Sequence, residues 1–176
     1  MRFDFWSRRI LLDYRLKKKK VPLIDLAKDA RLQESVRIFI GKKSEFFSLG
    51  ERTEIRRLVD IQVGGGFSLG AHSVVGVASF IEAFGVVKIG SGVLMGPHVR
   101  IFSSTHEYGR PGDLLKPLKA GFVNIGNDVW IGAGAVVATN VSIGDNSVIG
   151  ANAFVNSDVP SNCVVGGVPA RIIKRL

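Results

Sequence analysis

Branched aliphatic residues recur at every sixth position through the C-terminal half of the chain. The sequence reads Ile125-Gly126, Ile131-Gly132, Val137-Ala138, Ile143-Gly144, Ile149-Gly150 and then Val155. The same spacing runs upstream through Ile89, Met95 and Ile101. A period of six is neither the 3.6 of a helix nor the 2 of a half-buried strand, and fixed-period self-similarity decides the fold before local propensity does. Three hexads make an 18-residue coil with three flat faces. The first position of each hexad points inward and stacks between coils. The fifth also faces inward near a corner and should be small or β-branched. It is Val93, Val99, Thr105, Val129, Ala135, Val141, Ser147 and Ala153. Gly, Asn and Asp after each aliphatic supply corner chemistry. A β-sandwich would need alternation with period two and hairpin turns every 8–12 residues, and neither is present. The pattern predicts an all-β solenoid, a prism-shaped parallel β-helix stabilised coil on coil.

The repeat is imperfect over 32–88. Ile55, Ile61 and Phe67 are six apart, as are Leu69, Val75 and Ile81. Two-residue slips separate Phe67 from Leu69 and Val87 from Ile89, which predicts bulges or irregular corners. Gly64-Gly65-Gly66 fits such a corner. The hexads stop again over 107–124, a stretch holding Gly109, Pro111, Gly112 and Pro117. Ile101 and Ile125 are still a multiple of six apart, so this loop leaves and re-enters without disturbing the coil. Long loops in a compact domain are usually functional. Residues 3–16 read as a short amphipathic helix, with Phe3, Trp6, Ile10 and Tyr14 on one side. Lys17 to Lys20 follow, and Pro22 ends the element. The expected organisation is a basic helical arm over 1–31, a β-helix over 32–165 with loop 107–124, and a basic tail over 166–176.

Composition adds constraints. Of the net charge of +9, residues 1–20 contribute eight Lys/Arg against two Asp. That arm reads either as a helix docked on the body with a solvated charge run, or as a peripheral contact with an anionic membrane surface or polyanionic glycan. No aromatic-basic platform or recognition-helix pattern appears, so no nucleic acid is expected. The single Cys163 permits no intrachain disulfide and makes a reducing compartment the default. No apolar run reaches the length of a membrane-spanning helix, and Ile10-Leu11-Leu12 is too short for a secretory signal. The expected location is the cytoplasm, at the inner face of the membrane if the basic arm docks there.

The stretches Ile125-Gly126-Asn127-Asp128-Val129-Trp130-Ile131-Gly132-Ala133-Gly134, Ile143-Gly144-Asp145 and Gly167-Val168-Pro169-Ala170-Arg171 resemble the hexapeptide-repeat acyltransferases. Within them the sequence is most similar to the sugar O-acetyltransferases of the maltose, galactoside and O-antigen or capsule type. The resemblance is strong over 89–176, weak over 32–88 and absent over 1–31. It implies a left-handed parallel β-helix, a homotrimer with active sites between subunits, and acetyl-CoA as the donor. The handedness comes from the resemblance alone, since the general crossover rule is right-handed. No metal is implied.

Acyl transfer from a thioester to a sugar hydroxyl requires that the hydroxyl lose a proton, that the oxyanion be stabilised and that both substrates be held together. A neutral imidazole is the natural base near pH 7. His106 closes the hexad that begins at Ile101, at the outward sixth position where the loop departs. It matches the family's catalytic His. His72 and His98 occupy turn positions and read as surface or subunit-contact residues. A zinc site of the γ-carbonic-anhydrase kind is disfavoured by the spacing of His98 and His106 and by the acetyltransferase-like tail. Glu82 and Glu107 are candidates to fix the His106 tautomer or bind the acceptor. Counting back from the family's acceptor-contacting Asn reaches Gly76, which implies a different acceptor pocket.

For the donor, Trp130 matches an aromatic that lies against the cofactor. Gly132-Ala133 and Gly150-Ala151 match positions where the backbone meets the pantetheine arm. Arg171 and Lys174 match basic residues near the CoA phosphates, while a usual Thr-Lys pair falls here on Asn156-Ser157. The expected function is O-acetylation of a sugar in a surface polysaccharide or its precursor, with direct attack and no acyl-enzyme. The alternatives are N-acetylation of an amino-sugar nucleotide and a non-catalytic scaffold.

Overall fold

The computed structural model describes residues 23–112 and 115–176. The expected N-terminal helix over 3–16 and the lysine run that follows it lie outside the described residues. The rest is a parallel β-helix of three faces, here called A, B and C in the order the chain visits them. Faces A and C each stack six strands, and face B stacks eight. One coil shows the plan: Gly66–Leu69 on face A, Val74–Val75 on face B and Phe80–Ala83 on face C, before Val86–Ile89 returns to face A. The coils begin earlier than the expected residue 32, because Leu23–Leu26 already pairs in parallel with Phe46–Leu49.

The first-position aliphatics form the core. Ile55, Ile61, Val75, Ile81, Ile101, Ile131, Val137 and Ile149 are all fully buried. The fifth positions are buried too, from Val93 through Ala153. Thr105 is the exception, half-buried where the loop leaves. Inward serines do not leave their hydroxyls stranded. Ser73 donates to the Gly90 carbonyl and accepts from the Val93 amide, both at 3.0 Å. Ser103 likewise donates to the Glu82 carbonyl and accepts from the Gly85 amide, both at 3.0 Å. A buried polar atom without such a partner would be strongly destabilising.

The sequence slips have a single structural cause. Phe47, Phe67 and Val87 are successive partners on face A, 20 residues apart. Trp130 and Val148 are partners on face B only 18 apart. The coils between Phe46 and Val86 therefore carry two extra residues, and the first, from Leu23 to Phe46, carries five. They sit at the corner joining face C to face A, where Ile81 and Val87 are six apart but Val137 and Val141 are four. Phe67 and Leu69 themselves lie in one regular strand, both buried. Ile101 pairs with Val137 across 36 residues, so the loop and its coil together span two short coils. The chain rejoins face A at Phe122–Ile125, slightly before the expected Ile125.

Candidate active site

The loop is rooted at the wide C/A corner. Ser104–Thr105 and Lys119–Ala120 pair antiparallel, the only such hairpin in the body of the solenoid among the described residues. Below it, the Gly121 amide donates to the Ser103 carbonyl at 2.7 Å. His106 is the first residue beyond this hairpin on the outgoing strand, and its side chain is exposed. With Thr105, Glu107, Tyr108, Arg110, Lys116 and Lys119 it lines a surface depression of about 380 Å³.

The two carboxylates considered for His106 are engaged elsewhere. Glu82 Oε1 accepts a hydrogen bond from the Ser104 hydroxyl at 2.8 Å. Glu107 pairs with Lys116 Nζ at 3.1 Å. Among the described residues neither is hydrogen-bonded to the His106 ring. Glu82 thus braces the strand that presents the histidine, and Glu107 braces the loop across its width. Gly76 lies at the corner between faces B and C, buried under the next coil. At the level of the loop root the preceding coil instead presents Glu82, the partner of Phe102. His72 and His98 sit exposed at corners with φ of 58° and 60°.

The donor candidates gather on face B. Trp130 is 55% exposed and stands beside Leu94 on one side and Val148 on the other. The same outward column continues through Val164 to Lys174. Three ladder steps of ~4.8 Å place Lys174 about 14 Å from Trp130 along the face. The tail makes this possible, because Arg171–Arg175 folds back antiparallel onto Cys163–Gly166. Arg171 lines a second depression of about 510 Å³ with Asn156, Ser157 and Asp158.

Gly132 is also held small by the packing of the coils. A Cβ on Gly132 would lie 2.6 Å from the Ala151 amide nitrogen, so the stacking of coils alone demands glycine there. Gly150 has a looser neighbour, the Val165 carbonyl at 3.3 Å. Ala133 and Ala151 are exposed on the same corner. What the structure does not bring together is equally clear. In a three-sided coil the C/A corner stands opposite face B, so His106 and the Trp130–Lys174 column lie on opposite sides of one chain.

The class defined by this architecture, a parallel hexad β-helix with a protruding corner loop and a folded-back tail, is also the class that comparison finds. A model of the bacterial transferase hexapeptide repeat (six repeats) matches residues 122–157. A galactoside O-acetyltransferase of Escherichia coli K12 is 34% identical over 139 residues, 76% of this chain and 66% of the relative. The chain therefore spans just under two thirds of that relative's length. A hexapeptide-repeat-containing acetyltransferase of Vibrio cholerae, solved with acetyl coenzyme A, is 27% identical with a TM-score of 0.64, over 95% of this chain and 78% of its own. An N-acyltransferase of Bacillus cereus, solved with dTDP and 3-hydroxybutyryl-CoA, shares the fold at 19% identity and a TM-score of 0.74, over 93% of this chain and 87% of its own. This chain belongs to the hexapeptide-repeat acyltransferases.

Proposed function

We propose that the protein transfers an acetyl group from acetyl-CoA to a hydroxyl of a sugar, in a surface polysaccharide or its precursor. The observation that carries this reading is the exposed His106 at the root of the corner loop, beside a sugar-sized depression. The His106 imidazole takes the proton of the acceptor hydroxyl. The oxygen bonds to the acyl carbon, the carbon–sulfur bond breaks, and the thiolate recovers a proton from the imidazolium. No acyl-enzyme forms, and Cys163, fully buried, takes no part. Glu82 and Glu107 position the histidine's strand and loop.

Acetyl-CoA suits the residues on face B. Trp130 offers an exposed aromatic surface, Ala133 and Ala151 leave the adjacent corner open, and Lys174 and Arg171 supply cations for phosphates. Because this face is opposite His106, the reading includes a homotrimer in which one subunit's base meets donor residues of the next. The test is free-thiol release from acetyl-CoA over a panel of sugars and amino sugars. His106→Ala should lower turnover by ~10²–10⁴-fold, as loss of a general base does, while calorimetry finds CoA affinity nearly unchanged. Unchanged turnover would remove His106 from the mechanism, and transfer only to amines would replace the hydroxyl acceptor.

A further inference from the structure

We propose that Tyr108 is the platform for the acceptor: a pyranose lies with its C–H face on the Tyr108 ring and turns a hydroxyl toward His106. The inference rests on the reading of His106 as the acetyl-transfer base. It makes a cyclic sugar, and not an open-chain polyol, the acceptor class.

Tyr108 is 84% exposed. Exposure of a single aromatic would mean little by itself, but Tyr108 lines the same depression of about 380 Å³ as His106. Apart from the His106 ring, it brings the only aromatic face among the described lining residues. Sites for small ligands combine an aromatic surface with a few polar groups that fix orientation, and this depression supplies both. Among the described residues nothing else takes that surface. The Tyr108 ring stacks on no other ring and faces no cation, and its hydroxyl makes no hydrogen bond. The spacing fits one sugar ring. His106 and Tyr108 are two residues apart, so their Cα atoms lie within about 7 Å of each other. Between them Glu107 is tied across the loop to Lys116 at 3.1 Å, which limits how far base and ring can drift. A pyranose has C–H bonds over a face and hydroxyls round its rim. Stacked on Tyr108, it buries the apolar face and leaves a rim hydroxyl within reach of the imidazole, while the tyrosine hydroxyl stays wet. An open-chain polyol carries the same hydroxyls but has no such face to bury.

The full chain is assayed for free-thiol release from acetyl-CoA with methyl β-galactoside and with galactitol. The native protein should prefer the ring by about tenfold or more in kcat/KM, as burial of one aromatic face allows. Tyr108→Ala should raise the KM for methyl β-galactoside by about tenfold, with kcat and the acetyl-CoA KM little changed. Tyr108→Trp should restore the acceptor KM. The urea midpoint of Tyr108→Ala should match the native one, because the ring is exposed. Equal use of the two probes overturns the proposal, as does an unchanged acceptor KM in Tyr108→Ala. Binding is read separately, without acetyl-CoA. Methyl β-galactoside should shift the tryptophan emission of the Tyr108→Trp variant and leave that of the native protein unmoved. A shift without transfer by either protein removes the acetyltransferase reading and keeps the platform. Transfer without a shift removes the platform alone, and neither transfer nor shift removes both.

Discussion

His106 shows how much one position depends on its setting. Nothing in its own side chain separates it from His72 and His98. Those two occupy left-handed corners on the regular part of the helix, whereas His106 stands on a braced hairpin facing a depression. Other residues at such corners carry strain. Leu58 has φ of 62° and is 57% exposed, so it bears the left-handed cost without much burial to offset it. Leu58→Asn or Leu58→Gly should therefore raise stability by about 1 kcal/mol, read as a higher urea midpoint with an unchanged slope. A lower midpoint would mean that the leucine contacts outweigh the backbone strain. At most corners of the later coils the chain uses Asn, Asp or Gly, as at Asp128, Gly134, Asn146, Asn152 and Asn162. Their side chains add ladders between coils, such as Asn146 to Asn162 at 2.8 Å.

At the scale of the element, the corner between faces C and A sets the behaviour of the loop. It is the wide corner of the 20-residue coils, the place where the loop departs, and the place where the coil shortens to 18. Its glycines are structural. A Cβ on Gly85 would lie only 1.9 Å from the Gly121 carbonyl oxygen, a backbone atom that cannot swing aside. Gly85→Ala should cost about 1–3 kcal/mol or more through overpacking. Gly109, in the loop, has open space around it and pays only for its φ of 109°. Gly109→Ala should thus leave the urea midpoint of the body nearly unmoved. Equal losses for the two variants would show that the loop and solenoid unfold as one unit and that the corner is not specially tight. Much of this element was legible in advance. The slips at Phe67/Leu69 and Val87/Ile89 announced an irregular corner, and the missing hexads announced a loop. For one coil the position was legible too, since Gly64-Gly65-Gly66 falls between Asp60–Val63 on face C and Phe67 on face A; at the Val87/Ile89 slip no such glycine run marks which corner absorbs it.

At the scale of the molecule, the separation of His106 from the Trp130–Lys174 column is the main constraint. On the proposed reading, each chain carries its base at one corner and its donor residues on the opposite face. Mixing His106→Ala chains with Trp130→Ala/Arg171→Ala chains during refolding or co-expression should give turnover above the mean of the two parents. Light scattering should give a trimer mass for the mixture. Turnover equal to the mean would place a complete site within each chain.

The periodicity alone determined the solenoid, its core and the place of the loop, because a six-residue repeat can bury its aliphatics only by winding them into stacked coils. It also singled out His106, as the residue standing where that register stops. The tertiary structure decided the rest. It showed that Glu82 and Glu107 brace Ser104 and Lys116, that Gly132 is small because Ala151 lies against it, and that Lys119 stands opposite Thr105, the residue before His106. These depend on which residues meet across coils, and the meeting points shift with coil length. A spacing read along one dimension fixes the winding, whereas contacts at the corners are fixed only once 20-residue and 18-residue turns are stacked in space.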